Sequence, residues 1–238
     1  MIPIRDTIKA RKPPIITVFL ILANIAVFIY ELFLSSKELE EFIHIWGVVP
    51  ARFLYPNWTE GAGYPNTSLL PFVTCLFLHG GWFHLISNMW ALWLFGDNVE
   101  DRMGHFRFFV FYIICGLLAG FVNVAIYPSS RIPTIGASGA IAGIMGAYFL
   151  LFPFSRILVL VPVFFYPLFF EVPAVFYLFF WFFSQFLSGT ASLKQGTGEM
   201  GGIAFWAHVG GFIAGLFFLR FFVKKSRRRK TSRFYSHG

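Results

Sequence analysis

The sequence predicts an all-α polytopic membrane protein: six transmembrane helices, with a short fourth helix and a large first loop. Three observations carry that expectation. Of 238 residues, 57% are hydrophobic and only 13% charged, an apolar excess beyond what one soluble core requires. Six apolar runs recur, near residues 15–34, 72–96, 106–127, 138–152, 163–188 and 202–222, and about 20 apolar residues suffice to cross a ~30 Å hydrocarbon core. Positive charge gathers at the ends, in Arg5, Lys9, Arg11 and Lys12 and in the run KKSRRRK from Lys224 to Lys230.

The net charge of +8 would suit nucleic acid, but its placement beside apolar runs suits anionic membrane lipid instead. An even number of crossings puts both termini on one side. With that side cytoplasmic, the inner segments hold Arg102, Arg107, Arg156 and both basic ends, and the outer ones only Lys37, Arg52, Arg131 and Lys194, as the positive-inside bias requires. The organisation expected is a basic cytoplasmic N-terminus over 1–14, a six-helix core over 15–222 and a basic cytoplasmic tail over 223–238.

The first run continues to Leu34 without a small-x-small cleavage site, so it reads as a retained helix rather than a signal peptide. The loop from Ser35 to Ser68 carries Phe42, Trp46, Phe53, Tyr55 and Trp58, aromatic surface that favours the membrane interface and short interfacial helices. The second run, LFLHGGWFHLISNMWALW, leads into GDNVEDRMG, expected as a cytoplasmic loop in which Glu100 joins Arg102 or Arg107 in a structural network.

The fourth run is preceded by Pro133 and Gly136 and stopped by Pro153. About fifteen residues at 1.5 Å each span roughly 22 Å, less than the bilayer core. Such a helix begins below the outer surface. The loop from Tyr127 to Ile135 must then dip inward, where non-helical backbone needs a protein-lined or wet cavity. The stretch from Arg156 to Gly189 exceeds one helix and is cut by Pro162, Pro167 and Pro173. An irregular start followed by a Phe-rich helix to about Leu187 is expected. Cys75 and Cys115, the two cysteines, sit in apolar runs and read as buried packing residues rather than a disulfide or metal framework.

Polar side chains at membrane depth are costly and so are candidate functional groups. His84 and Asn88 are four apart and share a helix face. His208 is the sole ionisable residue of the sixth run before Arg220, with Gly211 and Gly215 on its face. Ser138 opens the fourth helix, with Ala142 on its own face and Gly139, Gly143 and Gly146 beside it. Small faces let helices approach closely, so the two helices can bring Ser138 to His208. Taken singly, Ser138 reads as a packing residue or a nucleophile, and His208 as a structural hydrogen-bonding group or a base. His79 and His84 could join His208 on a metal, but their five-residue spacing does not put two ligands on one helix face.

Four elements in order, HGGWFHLISN, GDNVEDRMG, GASGA and AHVGGFIAGL, resemble those of the rhomboid intramembrane serine proteases across most of the six-helix region. The resemblance implies that Ser138 is the nucleophile and His208 the general base. It makes His84 and Asn88 part of the oxyanion hole, and it implies cleavage of transmembrane protein substrates in or near the membrane. The chain departs from the pattern at Ala142, where many members carry an aromatic residue that stacks on the histidine.

The chemistry those roles need is present. A serine becomes nucleophilic when a neighbouring base takes its proton, and histidine titrates near neutrality. No Asp or Glu stands in the apolar parts of the second, fourth or sixth helix, which predicts a Ser–His dyad rather than a triad, with no metal and no cofactor. The oxyanion donors expected are the Ser138 backbone N–H, the Asn88 amide and the His84 ring. His79, Ser87, Ser184 and Gln185 are the candidates to hold water or admit substrate, and the fifth helix is the candidate lateral gate. Two rivals are a non-proteolytic relative that binds transmembrane helices, disfavoured by the presence of both Ser138 and His208, and a transporter, disfavoured by the lack of an inverted repeat. The bare six-helix core without a transit-like leader points to a bacterial inner membrane.

Overall fold

The computed structural model of the chain describes residues 1–61, 63, 68–163, 166–195 and 203–223. The basic run from Lys224 onward and the side chains of Trp58 and Lys194 lie outside the described residues. In chain order the elements are β1 (Ile2–Asp6), α1 (Ile15–Leu32), α2 (Ser36–Trp46), α3 (Pro50–Leu54), α4 (Pro56–Gly61), α5 (Pro71–Thr74), a 3-10 turn (Cys75–Phe77), α6 (Trp82–Met103), α7 (His105–Ile126), α8 (Ser138–Leu151), β2 (Arg156–Val163), β3 (Tyr166–Pro173), α9 (Ala174–Gln195) and α10 (Phe205–Phe222).

Among the described residues, α1, α7, α9 and α10 are long and apolar enough to cross a membrane, and α8 is a shorter apolar helix. The chain is an integral membrane protein. α6 matches α7 at 22 residues but carries His84, Asn88, Asp97, Asn98 and Glu100. α8 lies at the centre, with Ala140, Ala142, Ile144, Ala147 and Tyr148 fully buried. A helix apolar all round belongs inside a bundle, and alanine and glycine make its neighbours' close approach possible.

The interface between α8 and α10 is backbone against backbone. A Cβ added at Gly211 would meet the carbonyl of Gly139, and one at Gly215 the carbonyl of Gly143. No side chain larger than hydrogen fits at either position. Both Cys75 and Cys115 are buried free thiols.

The all-α expectation is corrected by a three-stranded antiparallel sheet in the order β1-β2-β3. The stretch after Arg156, expected to be irregular, is a hairpin pairing Arg156 with Pro173 and Val163 with Tyr166. β1 joins its other edge, Ile2 opposite Leu160 and Asp6 opposite Ile157. Ile157 and Val159 are fully buried, as the two-residue period of a strand dictates. Pro162 lies beyond the reach of β1, so its missing N–H breaks no bond to that strand. The sheet sits at the end of the bundle that carries the C-terminus of α8. There the Tyr148 hydroxyl donates to Asp6 at 2.5 Å, and burial pushes the Asp6 carboxyl above its usual range.

A second correction concerns the second apolar run. It is not one helix but α5 and a 3-10 turn, then His79-Gly80-Gly81, then α6. The first loop does contain short helices, and α2 begins with a reciprocal capping box between Ser35 and Glu38.

Glu100 is buried but does not pair with Arg102 or Arg107. Its carboxylate accepts from the backbone N–H of Ile16 (2.9 Å), the backbone N–H of Thr17 (2.8 Å) and the Thr17 hydroxyl (2.7 Å), and meets His105 Nδ1 at 2.5 Å. α1 opens after Pro14, whose side chain cannot cap, so Glu100 supplies the acceptors that the first turn lacks. Glu100→Ala strands the buried N–H of Thr17, at about 1–3 kcal/mol, and the half-buried N–H of Ile16, at less. The expected result is a markedly lower melting temperature in detergent, with the spacing of the distant site unchanged, and thermal unfolding checks it.

Candidate active site

The site forms at the end of the bundle opposite the sheet. α8 starts at Ser138, and its 14 residues span about 21 Å. The last residues of the loop leading to it are held by protein. Thr134 exchanges backbone hydrogen bonds with Val48, the Gly136 N–H donates to the Cys75 carbonyl at 2.8 Å, and Asn123 donates to the Thr134 hydroxyl at 2.9 Å. These bonds meet the polar groups of irregular backbone beside apolar helices.

Gly136 has φ +117°, and a Cβ there would lie 2.6 Å from His84 Nε2. Both the backbone conformation and the contact call for glycine. The His84 ring therefore lies against the turn that delivers Ser138. The Asn88 Nδ2 group donates to the His84 carbonyl at 2.8 Å, one turn back along α6. The first N–H groups of α8, beginning at Ser138, have no acceptor within the helix, and they gather positive potential beside the serine.

Ser138 Oγ lies 2.7 Å from His208 Nε2. The other ring nitrogen, Nδ1, lies 2.8 Å from Gln185 Oε1 of α9. The indole of Trp181, one turn earlier on α9, stacks on the imidazole with ring centroids 6.0 Å apart and planes 29° apart. A serine hydroxyl against an imidazole nitrogen is the contact through which a base takes the proton from an attacking oxygen. Among the described residues, no group of three or more His, Cys, Asp or Glu side chains could hold a metal ion.

Residues 66–225, more than half of the chain, match the Rhomboid domain. The chain belongs to the rhomboid family. It is 29% identical over 178 residues to Rhomboid protein 1, mitochondrial, of Saccharomyces cerevisiae, covering 72% of this chain and 47% of that one. It is 28% identical over 140 residues to Rhomboid-like protein 11, chloroplastic, of Arabidopsis thaliana (59% of this chain, 43% of that one). It is also 32% identical over 120 residues to Presenilin-associated rhomboid-like protein A, mitochondrial, of Danio rerio (48% and 31%). The chain spans less than half the length of these relatives. Their names put those proteins in mitochondria and a chloroplast, and they lend nothing to a bacterial inner membrane.

The remaining sequence candidates divide. Ser138, His208, His84 and Gln185 come together at this end of the rhomboid fold, and Asn88 lies one turn along α6 with its amide on the His84 carbonyl. His79 is buried, its ring edge-on to His84 at 5.0 Å and its backbone N–H directed at Glu31 of α1. It props His84 instead of facing an opening. Ser87 is exposed, and its hydroxyl is turned back on the His84 carbonyl at 3.1 Å. Ser184 is exposed as well and donates to the Trp181 carbonyl at 2.6 Å. Sequence reasoning missed Trp181, which gives His208 the stacked aromatic that Ala142 does not. No signal in the Phe-rich run singled it out.

Proposed function

We propose that this rhomboid-family chain is an intramembrane serine endopeptidase that cleaves transmembrane substrate proteins in or near the bilayer. The observation that carries this reading is the 2.7 Å contact between Ser138 Oγ and His208 Nε2 at the start of a helix too short to span the membrane. His208 takes the proton as Ser138 attacks the substrate carbonyl, and returns it to the leaving amine; water then hydrolyses the acyl-enzyme by the reverse roles. No metal or cofactor has a step in this scheme. The developing oxyanion is met by the Ser138 N–H, the Asn88 amide and the His84 ring, in a site where low dielectric strengthens each contact.

The bundle crosses the bilayer six times, with the sheet end and both termini cytoplasmic. Substrate reaches the site between α9 and α6. At the sheet end Tyr177 of α9 is stacked on Phe95 of α6 (6.5 Å). Nearer the site, α9 leans on α10 through Phe182–Phe212 (4.8 Å) and Phe186–Trp206 (5.7 Å). That arrangement supports a hinge low on α9 and sideways opening above it.

Purified protein in proteoliposomes, given a single-span substrate with glycine or a polar residue near its outer end, is expected to release a cleaved product. Absence of cleavage across a panel of such substrates overturns the reading. Asn88→Ala is expected to lower kcat by about 10²–10³-fold while leaving KM nearly unchanged, because the amide acts on charge that exists only in the transition state. Matched steady-state kinetics in the same vesicles check this.

A further inference from the structure

Among the described residues no carboxylate holds His208, yet its contacts have a direction. Four hydrogen bonds run in series through α8, α10 and α9: Ser138 Oγ to His208 Nε2 (2.7 Å), His208 Nδ1 to Gln185 Oε1 (2.8 Å), Gln185 Nε2 to Ser184 Oγ (3.2 Å), and Ser184 Oγ to the Trp181 carbonyl (2.6 Å). The final acceptor sets the polarity of the rest. A carbonyl oxygen only accepts, so Ser184 spends its single proton there and presents a lone pair to Gln185. The Gln185 amide then points its NH₂ at Ser184 and its oxygen at His208. An amide oxygen only accepts, so Nδ1 of His208 carries the proton and Nε2 is left bare for the Ser138 hydroxyl.

We propose that Gln185 is a positioning residue that selects the base-competent tautomer of His208, with Ser184 fixing the orientation of the Gln185 amide. This rests on the protease reading above and reassigns both side chains from water and substrate access. The relay consists of neutral groups, which suits its place on a helix facing lipid. A carboxylate there would carry a desolvation cost that an amide avoids. Ser184, on the exposed side of α9, already satisfies its hydroxyl on its own helix. Because Trp181 and Gln185 both come from α9, the element proposed to move for substrate also holds the imidazole from its face and from its edge.

The test uses full-length protein labelled with ¹⁵N-histidine in detergent micelles, with the His208 signals assigned by their loss in His208→Ala. The parent is expected to show the Nδ1–H tautomer at His208. Gln185→Leu is expected to populate both tautomers and lower kcat about 10–10²-fold with KM within two-fold, less than loss of the base itself. Gln185→Glu restores an acceptor and is expected to return the Nδ1–H tautomer and most of kcat. Ser184→Ala, which frees the amide to flip, is expected to give a smaller loss with the same mixed tautomers. An Nε2–H tautomer in the parent overturns the proposal, and so does Gln185→Leu with parent-like spectrum and kcat. A parent that shows the Nδ1–H tautomer but cleaves no substrate overturns the protease reading while supporting the relay.

Discussion

His208→Ala and Ser138→Ala are each expected to lower substrate cleavage by about 10⁴-fold or more, to the limit of detection. The two residues act as one unit. Without the imidazole, the hydroxyl keeps its proton and is a poor nucleophile; without the hydroxyl, the imidazole has nothing to activate. The double variant is therefore expected to be no worse than either single one, where independent contributions would multiply. Both side chains are only partly buried, and neither substitution removes a large packing surface, so folded yield and melting temperature are expected to stay close to the parent. Cleavage rates and thermal unfolding of the three variants together check this, and an additive double variant would contradict it.

Gly215→Val is the second large effect, and it acts away from the reacting atoms. Gly215 lies seven residues after His208, and its α-carbon faces the carbonyl of Gly143 with no space for a Cβ. An isopropyl group forces α10 away from α8, and overpacking of this kind costs about 1–3 kcal/mol. The same displacement lengthens the 2.7 Å contact between Ser138 and His208, and a shift near 1 Å in reacting geometry costs about 10²-fold. Gly215→Val is expected to lose at least about 10²-fold in cleavage and to melt at lower temperature. Ile213→Ala, on the outward face of the same helix, is expected to change neither by much. Parallel activity and melting measurements on the two variants distinguish a specific packing requirement from general fragility of α10.

What the sequence displayed well was local. The short fourth helix was legible because Pro133, Gly136 and Pro153 bracket it and because its length falls short of a bilayer. The small faces of Gly139, Gly143, Gly211 and Gly215 were legible from spacing, and they bring α8 and α10 together in the structure. What escaped was set by tertiary partners. The β2–β3 hairpin is apolar on both faces, and in a sequence this hydrophobic its two-residue alternation does not separate from a helical run. Glu100 bonds to Ile16 and Thr17, 84 and 83 residues away, instead of to the arginines near it in sequence. Gln185 and Trp181 meet His208 only because α9 folds back beside α10, and nothing in a Phe-rich stretch marks which of its turns will do so. The aromatic missing at position 142 was thus supplied from another helix.

The most direct measurement of the Ser138–His208 assignment is covalent labelling by a fluorophosphonate, followed by intact-mass analysis and peptide mapping. Parent protein is expected to gain one adduct, carried on Ser138, while Ser138→Ala and His208→Ala gain none on the same timescale. An adduct on another residue, or labelling of Ser138 at the parent rate in His208→Ala, would contradict the assignment.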